Sequence, residues 1–335
     1  MKKAKKIIIT LSILALVLIG CNNKNAENTT KNESDSKVAS NNAKFISMGT
    51  SSSGGTFNTL GVAICQVLND KIDTQVSAEV TGGSSENCIR IGENEIQLAF
   101  TAASSAYEAI SGTGAFQDNK VEGITAIANL YPAIMQFPVS KQSGIKTLDD
   151  IKGKKINIGQ SGSGSESQAL NLLKSYGISL DSFEPQHLSH ANAVEALTNE
   201  KIDGYIISGS LGQSHQMTAM SSGKCDMASF GPENKIKKLI EEYPYYEQYT
   251  IKAGTYPNQD YDVDTISTGT LLIANENLDE ETVYQITKTL FENLDLLAQS
   301  QKIAEEISLE NATKTSGIKL HPGAERYYKE VGILK

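Results

Sequence analysis

At three places an apolar stretch runs into a loop of Gly, Ser and Thr and out into a helix-forming segment. The first is Ile46-Ser-Met-Gly49-Thr-Ser-Ser52-Ser53-Gly54-Gly55-Thr56-Phe57, and the second is Val80-Thr81-Gly82-Gly83-Ser84-Ser85-Glu86-Asn87. The third is Ile158-Gly159-Gln-Ser161-Gly162-Ser163-Gly164-Ser165-Glu166. Each presents bare backbone N–H groups and short hydroxyls at the positive end of a helix, where the first-turn N–H groups have no intrahelical partner. Such a corner favours an anion. Three of them in one chain point to a site for a small anionic molecule built from backbone and hydroxyls.

Motifs for covalent or metal chemistry are missing around these loops. The first loop lacks the Lys-Ser/Thr of a nucleotide-phosphate loop, since Gly55 is followed by Thr56 and Phe57. The third has Ser167 where a dinucleotide fingerprint needs its last glycine. No G-x-S-x-G elbow occurs. His187 and His190 are close in sequence but lack the companions of a zinc motif, so no metal and no cofactor is expected. His215 and His321 read as capping or surface residues. A net charge of −9 with only two arginines, Arg90 and Arg326, excludes nucleic acid as a partner.

The elements that carry the loops repeat as strand, loop and helix, which predicts an α/β fold with a mostly parallel sheet. Strands are expected at Phe45–Met48, Val76–Val80 and Ile96–Phe100, and a long extended stretch at Ile124–Val139 is interrupted by Pro132 and Pro138. Leu60, Ala63, Ile64, Val67 and Leu68 make one apolar helical stripe. The series restarts with Lys155–Ile158, a helix carrying Ala169, Leu172, Leu173 and Tyr176, then Pro185–Leu188, a helix over Ala191–Thr198 and a strand over Ile202–Ile207. A strand over Thr265–Ala274 precedes a long helix capped by Asp279, with Val283, Ile286, Leu290, Leu294 and Leu297 inward. Pro322 opens a last helix. Two lobes result, with a cleft at the strand ends where the loops gather. The first two loops belong to lobe I and the third to lobe II, so a ligand held by all three would bridge and close them.

Micromolar binding takes about 8 kcal/mol. A helix terminus gives an anion about 0.3–1 kcal/mol, while each hydrogen bond to a charged group adds roughly 1.5–3 kcal/mol. Four or five such bonds in a water-poor cleft suffice, which makes closure part of the expectation.

Ahead of the folded body, Lys2, Lys3, Lys5 and Lys6 precede an apolar run from Ile7 to Ile19, too short to span a membrane and read as a signal peptide over 1–20. Leu18-Ile19-Gly20-Cys21 resembles a bacterial lipobox, which implies lipid attachment at Cys21 and a membrane anchor outside the cytoplasm. Residues 21–43 are rich in Asn, Lys and Ser and form an expected disordered tether. Cys65, Cys88 and Cys225 are left, either as buried free thiols or with one Cys65–Cys88 bridge.

Seven spaced motifs carry a family resemblance: Gly49 to Phe57, Thr81 to Asn87, Leu130-Tyr131-Pro132, Ile145 to Lys154, Gly162 to Glu166, Ala253-Gly-Thr-Tyr256 and His321-Pro-Gly-Ala324. Together they resemble TAXI-family solute receptors of TRAP transporters over about residues 44–333. The resemblance implies a two-lobed type II periplasmic-binding-protein fold with an interlobe cleft, with lobe I over 44–138 and 252–335 and lobe II over 139–251. It also implies a monomer that performs no reaction. Its ligand would be a small carboxylate, glutamate-like or a dicarboxylate, and its partner a TRAP permease of fused small and large subunits. The sequence departs from the family at Phe57 and Asn58, at Thr101 to Ser105, and at Gly209-Ser210-Leu211. Candidate ligand contacts are Ser52, Ser53, Gly54, Gly55, Thr56 and Phe57, then Ser84, Asn87, Thr101 and Tyr131, then Ser161, Gly162, Ser163, Gly164, Ser165 and Ser208. Tyr131 either lines the cleft or packs in the core. Two other readings are a receptor for an ATP-driven (ABC) importer and a surface-anchored enzyme using Asp260, Asp262 or Asp264.

Overall fold

The computed structural model describes residues 45–335, so the expected signal peptide, the expected tether and Cys21 fall outside the described residues. Two sheets organise the chain. The first contains β1 (Phe45–Gly49), β2 (Gln75–Glu79), β3 (Leu98–Ala102), β4 (Ile124–Gln136), β9 (Ile207–Gly209), β11 (Glu247–Ile251) and β12 (Val263–Asn275). Its order is β2-β1-β3-β12-β4-β9, with β11 also on β12. The second contains β5 (Pro138–Ser140), β6 (Lys155–Asn157), β7 (Glu184–Gln186), β8 (Gly204–Tyr205) and β10 (Cys225–Met227), ordered β10-β5-β8-β6-β7.

Helices cover the sheets: α1 (Thr56–Lys71), α2 (Ser84–Gly92), α3 (Ala103–Ser111), α4 (Gly164–Ser175), α5 (His190–Thr198) and α6 (Ser214–Ser221). The chain continues through α7 (Glu233–Glu242), α8 (Glu280–Glu292), α9 (Leu294–Ser300), α10 (Leu309–Ala312) and α11 (Pro322–Glu330). None of the helices among the described residues is long and apolar enough to cross a membrane.

The apolar stripe of α1 is buried as its spacing requires, with Leu60, Ile64 and Leu68 packed against Ile46 and Phe100 of the first sheet. Ile91 of α2, Ile96 and Ile273 fill the opposite face. Around the second sheet, Leu172 and Leu173 of α4 join Ile156 and Ile158, while Val194 and Leu197 of α5 pack with Tyr205 and Met227.

The first sheet is mixed rather than mostly parallel: β1, β2 and β3 are parallel, but β12, β4, β9 and β11 run antiparallel to their neighbours. Long-range pairing decides this, and strand composition does not encode it. Pro132 lies inside β4 instead of interrupting it, in register opposite Gly269. The expected strand over Ile202–Ile207 divides, β8 joining the second sheet and β9 the first. The expected helix through Leu297 breaks at Asn293 into α8 and α9. Asp279 caps α8 as expected, accepting from the Thr282 N–H at 3.0 Å. Cys65, Cys88 and Cys225 are free and buried, and burial pushes the thiols of Cys65 and Cys88 up to about 12.

Candidate functional site

Six helices begin at one cleft. Gly55 and Thr56 at the start of α1, Gly83 and Ser84 of α2, and Ala102 before α3 line it from one side. Ser163 and Gly164 of α4, His190 of α5 and Gln213 before α6 line it from the other. The remaining space is about 60 Å³. Side chains cap α4 and α5, where Ser163 and Ser189 accept first-turn N–H groups. The starts of α1, α2, α3 and α6 carry no side-chain cap among the described residues, which leaves first-turn donors for a guest, save the Glu86 N–H of α2, which donates to a backbone carbonyl.

The second and third loops are built alike. Gly82 N–H donates to Glu86 Oε2 at 2.8 Å, and Gly162 N–H donates to Glu166 Oε2 at 2.8 Å. These carboxylates take up loop donors that the sequence alone would offer to a ligand. Gly83 starts α2 at φ 107°, a conformation side-chain-bearing residues rarely adopt. The two corners meet: Glu86 N–H donates to the Gly162 carbonyl at 3.3 Å, and a Cβ on Gly164 would lie 2.6 Å from Ser84 Oγ. The Thr56 and Ser210 hydroxyls are 2.9 Å apart. Ser165 Oγ accepts from the Ser208 N–H at 3.1 Å.

Of the candidate contacts, Ser52, Gly55, Thr56, Phe57, Ser84, Ser163, Gly164, Ser165 and Ser208 come together around this cleft. Others lie elsewhere. Ser53 and Gly54 are exposed in the first loop, where a Cβ on Gly54 would lie 3.5 Å from His215 Cε1, and Ser161 and Gly162 are exposed and bonded to Glu166. Asn87 is buried as a structural tie, its Nδ2 donating to the carbonyls of Thr50 and Phe100 at 2.8 Å each. Thr101 Oγ1 donates to the Ser84 and Ala102 carbonyls at 3.4 and 3.2 Å. Tyr131 borders a different cavity with Asn129 and Tyr245.

Gln168, His190 and Gln213 also line the cleft and are not among the expected contacts, His190 having been weighed only as a metal ligand, because single polar residues near helix starts have no motif of their own. The one local signal was Ser189, a helix cap placing His190 at the first turn. Burial and the neighbouring His215 push His190 down to about 4, so it is neutral at pH 7. His321 caps α11 through Nδ1, which accepts from the Gly323 N–H at 3.2 Å. Among the described residues no cluster of three or more His, Cys, Asp or Glu could hold a metal ion.

Solved structures share this architecture. A Prochlorococcus marinus protein in complex with methylphosphonate aligns with a TM-score of 0.57 at 11% identity, over 86% of this chain and 98% of that one. A binding protein component of an ABC phosphonate transporter from Pseudomonas aeruginosa gives 0.55 at 13% identity, over 79% and 80%. A Xanthomonas citri protein bound to ATP gives 0.51 at 11% identity, over 87% and 96%. The two-lobed α/β periplasmic-binding fold expected from the sequence is therefore the fold of this chain.

The expected membership of the TAXI receptors is not sustained, because residues 48–332 match the NMT1-like family and a structural neighbour is an ABC component. The motifs behind that resemblance are largely Gly/Ser turns and helix caps, and turn geometry selects those residues wherever a strand feeds a helix start. The chain belongs to the NMT1-like family.

Proposed function

We propose that this chain is an extracytoplasmic solute-binding protein that captures a small oxyanion between its lobes and performs no reaction on it. The observation that carries this reading is the convergence of six helix starts, four of them without side-chain caps, on one small cleft. Contacts from both walls make closure and binding one event, since a guest shifts the lobes only through its greater affinity for the closed arrangement. Lobe I comprises 44–138 with 252–335, and lobe II comprises 139–251.

The receiving membrane partner is an ATP-driven (ABC) permease. The Pseudomonas neighbour belongs to an ABC phosphonate transporter, and the Prochlorococcus neighbour holds methylphosphonate. The first favours an importer of this class over the ion-driven permease expected from the sequence, and the second supports a small oxyanion as the guest. Cys21 carries a lipid that keeps the receptor beside the permease. Replacing it with Ser should release the protein from cells into the medium, and retention of C21S in the membrane fraction would remove the anchor.

Calorimetric titration and thermal shift with methylphosphonate, methanesulfonate and acetate test the binding reading. A ligand at a hundred times its Kd stabilises the fold by about 2.7 kcal/mol. Absence of both heat and stabilisation across all three anions would overturn it.

A further inference from the structure

The residues that line the cleft include no Lys, Arg, Asp or Glu. The nearest carboxylates are committed elsewhere: Glu86 holds the Gly82 N–H, while Glu166 holds the Gly162 N–H and lies 2.9 Å from His187 Nδ1. Helix starts can balance the charge of one oxyanion group. Nothing on these walls balances a second negative charge, and nothing pairs an ammonium.

The same walls hold polar groups without partners among the described residues. Gln168, only 1% exposed, has neither its amide nitrogen nor its amide oxygen bonded. Gln213 Oε1, Ser208 Oγ and His190 Nδ1 are buried and also unbonded. Leaving a buried polar group unpaired costs roughly 1–3 kcal/mol. These are therefore groups a guest would satisfy, and they offer both donors and acceptors without charge. Phe57, Ala102 and Ala133 supply the remaining apolar wall.

We infer that the ligand carries one oxyanion group, seated on the helix starts, and a neutral hydrogen-bonding group such as a hydroxyl or carboxamide, read by Gln168, Gln213, Ser208 and His190. This inference rests on the anion-binding reading and narrows its substrate class. It removes the glutamate-like amino acids and dicarboxylates expected from the sequence. Their ammonium or second carboxylate would be desolvated without a counter-charge, which is far costlier than burying a paired hydroxyl.

The test is calorimetric titration of the mature chain with two matched series at pH 7. One is methylphosphonate, hydroxymethylphosphonate, aminomethylphosphonate and phosphonoacetate. The other is acetate, glycolate, glycine and malonate. Within at least one series the hydroxyl member should bind about tenfold tighter than the methyl member, and the ammonium and second-acid members at least tenfold weaker than the hydroxyl member. Gln168→Leu, checked for an unchanged fold by circular dichroism, should bring the hydroxyl and methyl members to within about threefold. An ammonium or second-acid member that binds as well as the hydroxyl member would overturn the inference while leaving the anion site standing. A hydroxyl preference that survives in Q168L would overturn the role of Gln168. Binding by no member of either series would remove the anion site, and the inference with it.

Discussion

Ser163 and Ser208 both face the cleft, but their hydroxyls are not equally free. Ser163 Oγ already accepts from the Glu166 N–H at 3.2 Å as the cap of α4, whereas Ser208 Oγ is buried without a partner among the described residues. Ser163→Ala should therefore cost about 1 kcal/mol of stability, lower Tm by roughly 2–4 °C, and change affinity little. Ser208→Ala should leave Tm unchanged and weaken anion binding roughly threefold to tenfold, the worth of one net hydrogen bond. Parallel thermal melts and titrations separate the two. His190 makes a pH prediction. Its pKa is about 4 in the folded chain against about 6.5 unfolded, so the unfolded state binds more protons between those values. Stability should fall as pH drops from about 6.5 toward 4 and be flat above that window. Burial depresses His215 and His321 in the same direction. His190→Gln should make the fall shallower in urea denaturation from pH 7 to 4.5, and an unchanged slope would contradict the burial of a neutral imidazole. The Gly/Ser loops were legible because glycine and serine mark turns and caps locally. Gln168 and Gln213 were not, since their importance comes from what packs around them.

Between elements, the contact that matters most joins α2 and α4. Gly164 has no Cβ because one would lie 2.6 Å from Ser84 Oγ and 2.8 Å from Ser84 Cβ across the cleft. Gly164→Ala should hold the corners apart and weaken ligand binding by an order of magnitude or more, while Ser84→Gly in the same chain should restore most of it. Titration of the single and double variants reads this directly, and an undiminished affinity in G164A would mean the corners do not close on the ligand. A second tie lies behind the cleft, where Glu108 of α3, 1% exposed, accepts from Ser167 Oγ at 2.7 Å, from Asn171 Nδ2 and from Tyr245 OH at 2.9 Å. Glu108→Gln would turn an amide donor toward these donors, so we expect a loss of about 1–3 kcal/mol in urea denaturation. The helix starts of α1, α2 and α4 could be read from apolar periodicity after a Gly-rich turn. That of α3 could not, because Thr101-Ala-Ala-Ser-Ser carries neither a glycine turn nor a capping pattern. Nor could the departure of β9 from β8 to the other sheet, since adjacent residues hold no record of which edge they will pair with.

At the scale of the whole molecule, β4 and β12 are 13 residues each and antiparallel, and β4 leads through Phe137 directly into β5 of the second sheet. The chain crosses between the sheets again from β8 to β9, which pairs with β4, so more than one strand links the two sheets. The Glu86 N–H bond to the Gly162 carbonyl at 3.3 Å and the Thr56–Ser210 hydroxyl pair at 2.9 Å already tie the two walls, and a guest on the uncapped helix starts adds to what closure gains. Small-angle scattering should therefore show a smaller radius of gyration at saturating ligand than in its absence, and equal radii would count against coupled closure. The two-lobed plan was legible because strand, loop and helix recur along the chain, but the family was not, because local geometry selects the same turn and cap residues wherever a strand feeds a helix start. Capture between the lobes fixes where the guest must sit. A crystal structure grown with saturating methylphosphonate should place the phosphonate oxygens within hydrogen-bond reach of first-turn N–H groups of α1 or α2 and of the α4 loop together. Phosphonate bound to one lobe only, or on another face of the protein, would contradict it.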